Sequence, residues 1–498
     1  MAKTFDLLIV GGGVNGCGIA RDAAGRGLDV CLIEMNDLAS ATSSASTKLI
    51  HGGLRYLETY EFALVREALA EREVLLRIAP HLVRPLRFVL PVLPGMRATW
   101  LLRLGLLLYD YLYWGRTLPG AATLDLRRAG AGKPLREIMT RGFEYSDCRV
   151  DDARLVILNA CDAAVRRAEI RPRTRLLDAK RQAGLWRARV ETQQGGQVQI
   201  EEIAARALVN AAGPWAGSLL GKIEGIDRSA SIRLDQGSHI VVRRMFEGEQ
   251  AYIFQTGDGR TVFAIPYEGD FTLIGTTDRE FRADPASVRA GEDDIAYLID
   301  AANLYFRQQL RREDVVWTYA GVRALLDDGA TAARATRDYR LVLDASDGPP
   351  LLNVFGGKIT AYRHLAEKAL DRLKPFFPQM RRGPWTADEA LPGGDLPAGG
   401  LAALEKEMAA RFPYLDGALA ARLARGYGTR VWALLGDTDG VAALGRHFGA
   451  GLYEREVGWL MREEWAQTAE DVLWRRTKLG LRLSPQEVQN LELFMTPK

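Results

Sequence analysis

The stretch that most constrains this chain lies at its amino end. Residues 6–34 read DLLIVGGGVNGCGIARDAAGRGLDVCLIE. Residues 6–10 are a short apolar run of the kind that suits a buried parallel strand. Gly11, Gly13 and Gly16 then give G-x-G-x-x-G, a helix-like stretch continues to about Gly25, and a second apolar run from Leu28 to Ile33 ends on Glu34. Glycines at these positions permit a tight turn and close backbone approach to a pyrophosphate, and the helix amino terminus offers it N–H donors and a positive dipole end. Asn15 sits inside the turn. Glu34 is placed to accept from ribose hydroxyls, which disfavours a 2′-phosphate. The unit therefore predicts an α/β fold with a Rossmann-like domain holding FAD or NAD, and the glycines alone do not choose between them.

A chain of 498 residues is too long for one hydrophobic core, so two or three domains are expected. A net charge of +3 is small for this length and argues against nucleic acid as a partner. Cys17, Cys31, Cys148 and Cys161 are scattered without a C-x-x-C, and the five histidines form no H-x-x-x-H pair. Reduced thiols, no protein-ligated metal and a cytoplasmic setting are expected. The amino terminus runs straight into a strand, with no signal peptide before it. No run reaches the ~20 uncharged apolar residues of a membrane-spanning helix. The nearest, ATWLLRLGLLLYDYLYW at 98–114, is interrupted by Arg103 and Asp110, which share one helical face. It predicts either an interfacial helix or one buried between domains.

Later segments bear on the cofactor. RALVNAAGPWAG (206–217) is a strand running into Ala212 and Gly213, and VFGGKITAYRHLAEKAL (354–370) is a strand, a double glycine and an amphipathic helix. Two helix-opening glycine turns far apart in the chain suit a long cofactor held at both ends, which points to FAD. Between them, residues 229–330 alternate like strands, with a hairpin expected around Glu268 to Asp270. After the Pro/Gly-rich LPGGDLPAGG at 391–400 the pattern turns helical to the end. The stretch SSASTKLIHGGLRYLE (43–58) mixes hydroxyls, charges and paired glycines with Leu49, Ile50, Leu54 and Leu57, as expected of a segment converging on something polar and partly buried.

The motifs GGGVNGCGIARDAAGRG, TSSASTKLIHGGLRYLE, RGFEYSDCRVDDARLV, GSHIVV, IGTTD, WTYAGVRAL and FGGKITAYRHLAE follow in this order. Together they resemble the FAD-dependent, quinone-reducing sn-glycerol-3-phosphate dehydrogenases of the aerobic bacterial type, from about residue 5 to the carboxyl end. The resemblance implies a p-hydroxybenzoate-hydroxylase or D-amino-acid-oxidase type of FAD domain, built from segments of about 1–80, 145–228 and 335–388. It implies an inserted antiparallel substrate domain from about 81–144 and 229–334, and an α-helical carboxyl-terminal domain at 389–498.

The same resemblance implies the site. Non-covalent FAD would be held by Gly11, Gly13, Asn15, Gly16, Glu34, Ser43, Ser44, Thr47, Lys48, Gly53, Ala212, Gly213, Gly357, Lys358, Ile359 and Thr360. Arg55, Tyr56, Arg260, Arg323 and Lys358 would take the substrate, a compact phosphate dianion that needs several fixed donors. The chemistry implied is oxidation of the C2 alcohol of glycerol 3-phosphate, with hydride passing to the flavin and the proton to a base. His239 or His51 would be that base, His239 being favoured because SHIVV belongs to the substrate-domain sheet. Arg323 could also steady the developing alkoxide. Further implications are electron transfer to a membrane quinone, attachment to an anionic surface on the inner face of the cytoplasmic membrane, and a homodimer. Arg97, Arg103 and Arg116 would sit at headgroup level beside the 98–114 helix. A glycerol-3-phosphate oxidase using oxygen, or another oxidase of this fold, is the alternative reading.

Overall fold

The computed structural model describes residues 3–93, 99–225, 232–326 and 339–496. Its opening segment folds as the pattern requires. β1 (Thr4–Val10) pairs in parallel with β2 (Val30–Ile33), Val10 opposite Ile33, and α1 (Val14–Gly25) crosses between them. The strand is apolar on both faces because both are covered. Leu7 and Ile9 pack with α1 and the helices Asp152–Val165 and Tyr362–Leu373, while Phe5, Leu8 and Val10 pack with Leu176 and Trp186.

Two sheets carry most of the chain before residue 390. The first runs in the order Arg340–Asp344, Leu351–Phe355, Gln197–Asn210, β1, β2, Glu169–Arg171. Leu351–Phe355, Gln197–Asn210, β1 and β2 are parallel neighbours. The three glycine turns that follow the first three of these therefore lie side by side at one edge of the sheet. The first and last of these turns, the two expected to hold a long cofactor, flank the Ala212–Gly213 turn of the strand between them. The second sheet, mostly antiparallel, runs Arg279–Phe281, Ile232–Arg243, Phe271–Gly275, Thr261–Tyr267, Ala251–Gln255, Val83–Pro91, Arg141–Val150, Leu49–Ile50, and Val315–Leu326 pairs along Ile232–Arg243. The expected hairpin is present, with Tyr267 opposite Phe271.

The 98–114 segment forms a helix over Thr99–Tyr111 that ends before Trp114. Of its side chains only Leu106 and Tyr109 are buried, whereas Trp100 is 69% and Leu104 55% exposed. The alternative of a helix buried between domains is thereby set aside. Arg97, expected beside it, lies outside the described residues.

Beyond residue 400 the chain is mainly helical and has its own apolar cluster, including Leu404, Leu423, Leu434, Leu460 and Leu491. It also contains a small pair of strands, His447–Gly449 with Leu452–Tyr453, that the pattern did not predict. A π-helical turn, Asp471–Arg476, fastens this part to the cofactor-binding sheet. Asp37, in the loop after β2, accepts from Arg475 Nε at 2.6 Å and from Arg476 Nη1 and Nη2 at 2.8 and 2.9 Å. Glu464 is wholly buried among Arg154, Arg430 and Arg476, which hold its carboxyl down to about 2 against the cost of burial. Removing one partner of such an assembly strands the others in a low-dielectric interior. Asp37→Ala should cost about 3–5 kcal/mol of stability, read as a lowered midpoint in urea unfolding; an unchanged midpoint would mean that the two arginines find water instead.

Candidate active site

The site begins where β1 ends. Gly11 has φ +118°, and a Cβ there would lie 2.4 Å from the carbonyl oxygen of Ala211 at the end of the neighbouring strand. A Cβ on Gly16 would lie 1.9 Å from the oxygen of Gly11. Both glycines are thus required for strand, turn and helix to meet so closely. Gly13 precedes the first helical residue, and the Val14 N–H donates to Ser43 Oγ at 3.0 Å. Glu34 Oε2 accepts from Gly12 N–H at 2.7 Å and Oε1 from Asn36 N–H at 2.9 Å. Burial raises its carboxyl above the usual value. Asn15 reaches across to the last glycine turn, donating from its side-chain amide to Gly356 O at 3.1 Å.

A cavity of about 920 Å³ is lined by these strand ends and extends into the second sheet. Gly11, Gly13, Asn15, Glu34, Ser43, Ala212, Gly213, Gly357 and Ile359 line it, and so do Thr47, His51, Gly53, Arg55, Tyr56, His239, Arg260, Arg323 and Lys358. The shape and donor set fit a dinucleotide. Helix N–H groups and a hydroxyl meet at the position for a pyrophosphate, and the acidic acceptor sits beyond them, next to Asn36 and Arg175.

Four of the expected cofactor contacts stand elsewhere. Lys48, with φ +60°, is buried with its Nζ 2.9 Å from both oxygens of Asp152 and 2.8 Å from Ser44 O, so its charge is satisfied away from the cavity. Ser44 returns its hydroxyl to Ala41 O at 3.3 Å. Thr360 Oγ1 accepts from the backbone N–H of His51 at 3.2 Å. Gly16 packs against the turn rather than facing the cavity. Asp152, which organises Lys48 and also accepts from Ser46 Oγ at 2.7 Å, went unnoticed in the sequence although it lies in RVDDARL.

At the far end, Gly53 takes φ +80° and opens the short helical turn Leu54–Thr59 that carries Arg55 and Tyr56. Tyr56 folds back over Gly53, where a Cβ would lie 2.3 Å from the ring. The Lys358 ammonium lies 3.5 Å from the centroid of the same ring. Arg323 projects from Val315–Leu326, opposite Asp235 in the register. Among the described residues, neither Arg55 nor Arg323 has a carboxylate within ion-pair distance. Arg260 differs: it pairs with Asp258 at 3.1 Å, lies over the Tyr297 ring and is 40% exposed. It belongs to the rim of the cavity.

The histidines are enclosed unequally. His239 is 2% exposed, stacked on Tyr319 at 4.7 Å, with Nε2 2.9 Å from Thr47 Oγ1. Burial, then Lys48 and Arg323, push it down to about 3. His51 is partly open to the cavity and meets the edge of Phe263 at 6.5 Å. Burial, then Lys358 and Arg323, push it down to about 4. The surroundings of both rings thus hold them neutral well below the range expected of a base titrating near neutrality.

Known proteins resemble the whole of this arrangement. The family model for FAD dependent oxidoreductases matches residues 6–363, and that for the C-terminal domain of alpha-glycerophosphate oxidase matches 385–492. A glycerol-3-phosphate dehydrogenase of Pseudomonas aeruginosa is 54% identical over 99% of this chain and 96% of its own length. A D-erythritol 1-phosphate dehydrogenase of Brucella abortus is 50% identical over 97% of this chain and 96% of its own. The glycerol-3-phosphate dehydrogenase of Bacillus halodurans, solved with FAD, matches with a TM-score of 0.75 at 28% identity, covering 99% of this chain and 94% of that one.

The depressed histidines give a test. Each ring stays neutral in the folded protein until the pH falls to its own low value, but charges below about 6.5 once unfolded. Their stabilisation is present above 6.5 and is lost as the pH falls toward 4 and 3. With ring-15N histidine, the His51 and His239 resonances of the unliganded protein should not titrate between about pH 8 and about pH 5. A midpoint near neutrality for either would show that its burial beside these cations is wrong.

Proposed function

The chain belongs to the glycerol-3-phosphate dehydrogenase family of FAD-dependent oxidoreductases, and from that premise we propose that it oxidises sn-glycerol 3-phosphate to dihydroxyacetone phosphate and delivers the electrons to a membrane quinone. The observation that carries the reading is the convergence of Arg55, Arg323 and Lys358 on one cavity with the three glycine turns. A phosphate dianion is the ligand such a cluster favours, since two guanidiniums without carboxylate partners can each make bidentate pairs with its oxygens. FAD supplies the two-electron acceptor when bound, held by the strand ends, Ser43 and Glu34. Arg55 and Lys358 would fix the phosphate and Tyr56 would close over it. Arg323, on the sheet, would steady the alkoxide as the C2 hydroxyl loses its proton.

His51 is the better candidate for the proton acceptor, in place of His239. Its ring opens on the cavity, whereas His239 is enclosed and its Nε2 is engaged by Thr47. Burial is the main cause of its low basicity and the cations Lys358 and Arg323 add to it, so a bound dianion would offset that second part and raise the ring's basicity. His239 would then serve as a wall of the pocket.

The quinone reading rests on the exposed helix. Leu101, Leu104 and Leu108 of Thr99–Tyr111, with Tyr60 and Phe62, line the mouth of the same cavity. Trp100 and Trp114, the latter 86% exposed, flank an apolar face with Arg103 and Arg116 nearby. No helix among the described residues is long and apolar enough to cross a membrane. A helix lying in the interface of an anionic leaflet, on the cytoplasmic side, would bring the cavity mouth to the bilayer. Residues 389–498 are read as a separate helical module behind the site.

The deciding experiment is steady-state turnover of glycerol 3-phosphate with a quinone analogue, against oxygen as sole acceptor. Faster reaction with oxygen would favour an oxidase, and preference for a four-carbon polyol phosphate would move the substrate toward that of the Brucella relative. Arg323→Ala should lose about 2–5 kcal/mol of transition-state stabilisation in kcat/KM with FAD content unchanged, and Arg323→Lys should be poor as well. The wild type should sediment with anionic liposomes, partly reversibly in salt. Leu104→Glu with Leu108→Glu should abolish that while sparing FAD binding; retained sedimentation would move the membrane contact to another surface.

A further inference from the structure

The exposed helix has a hydroxyl hydrogen-bonded to the backbone of the site. Tyr109, one of its two buried side chains, donates from its hydroxyl to Asp147 Oδ1 at 2.7 Å and Oδ2 at 2.9 Å. The same oxygen accepts from the backbone N–H of Gly52 at 2.8 Å. Gly52 stands between His51 and Gly53, at the root of the turn that carries Arg55 and Tyr56. It admits no side chain, since a Cβ would lie 2.7 Å from the Tyr109 hydroxyl and 2.7 Å from Leu69. Asp147 is fixed from behind by Arg72, whose Nη1 lies 3.0 Å from Oδ1 and 2.9 Å from Ser146 O.

We infer that Tyr109 is a positioning residue, through which the seat of the Thr99–Tyr111 helix sets the placement of residues 51–56 in the cavity. The inference rests on the reading above that this turn carries the phosphate contacts and the proton acceptor. The hydroxyl has one proton and Asp147 takes it, so the oxygen is left to accept the Gly52 N–H. Burial and the neighbouring carboxylate push the phenol well above its ordinary value, which keeps that proton in place at every working pH. Without the hydroxyl, the next acceptor for Gly52 is Asp147 Oδ1 at 3.4 Å, a long and weak bond. The other buried side chain of the helix, Leu106, contributes packing alone. Two anchors of different chemistry therefore allow position and stability to be separated.

Tyr109→Phe keeps the ring and removes the link. In the FAD-loaded protein it should lower kcat on the order of 10- to 100-fold, the scale of a small misplacement of reacting groups, with FAD content and liposome sedimentation unchanged. Leu106→Ala should lower the melting temperature while leaving kcat near wild type. Amide exchange of a peptide spanning residues 49–54 should accelerate in Tyr109→Phe and not in Leu106→Ala, in protein with or without FAD. Wild-type kcat in Tyr109→Phe, unchanged exchange, or an equal loss of kcat in Leu106→Ala would each overturn the inference. The exchange measurement decides the link even if Tyr109→Phe fails to load FAD. If wild type itself does not turn over glycerol 3-phosphate, the functional reading fails while that measurement still stands.

Discussion

The close approach of β1 to its neighbour underlies the rest of the site. Only because Gly11 has no side chain can the end of β1 lie against the Ala211 carbonyl, and only because Gly16 has none can α1 rise from that point. The helix terminus, the Ala212–Gly213 turn and the Gly356–Gly357 turn then share one edge of a parallel sheet. The bond from Asn15 to Gly356 spans 341 residues of sequence and fastens the first turn to the last. A crevice at the carboxyl ends of parallel strands is where such sheets accept ligands. Here the second sheet closes over it and brings Arg323 and His239 to its far end.

Cations and carboxylates both line the cavity. Lys48 has Asp152 as its counter-ion and Arg260 has Asp258, so neither contributes much uncompensated charge. Arg55, Arg323 and Lys358 line the cavity with Glu58 and Asp278, and burial first, then nearby cations, holds the rings of His51 and His239 neutral. On the reading proposed above, a bound dianion would offset these cations and the part of the histidines' depression that comes from them, burial being the larger part. On that reading, substrate binding and readiness to accept a proton would be linked through the cationic part of the shift. A neutral ligand of the same shape would gain neither effect.

How much of this could be read in the chain follows from where each partner lies. The glycine unit and Glu34 are contiguous, and their geometry is local, so the sequence declared them. The same holds for the hairpin at 268–270 and the amphipathic run at 98–114. Which face of that run meets solvent was not legible, because the surfaces of Leu106 and Tyr109 are covered by residues from other segments. Lys48 was misplaced for a related reason: its counter-ion is 104 residues away and nothing in STKLIHGG signals it. The histidines sat in recognisable motifs, but their ranking depended on Thr47, Tyr319 and the cavity opening, none of which has a periodic signature.

The carboxyl-terminal module belongs to this account because it packs behind residues that line the site. Trp474 stacks on Trp317 at 4.2 Å, Trp317 meets Tyr319 at 5.0 Å, and Tyr319 stacks on His239 at 4.7 Å. The Tyr319 hydroxyl donates to Ser46 O at 2.8 Å, next to the Thr47 that holds His239. On the cofactor side, the residues that follow Trp474 hold Asp37, three positions beyond Glu34. One π-helical turn thus braces both ends of the cavity, through aromatic contact at one and a buried ion pair at the other. Flat rings in contact resist compression and fix distance, while the arginine fork fixes orientation. The turn thereby ties the loop after β2 in one sheet to Val315–Leu326 in the other, so a third element bridges the two sheets between which the cavity lies.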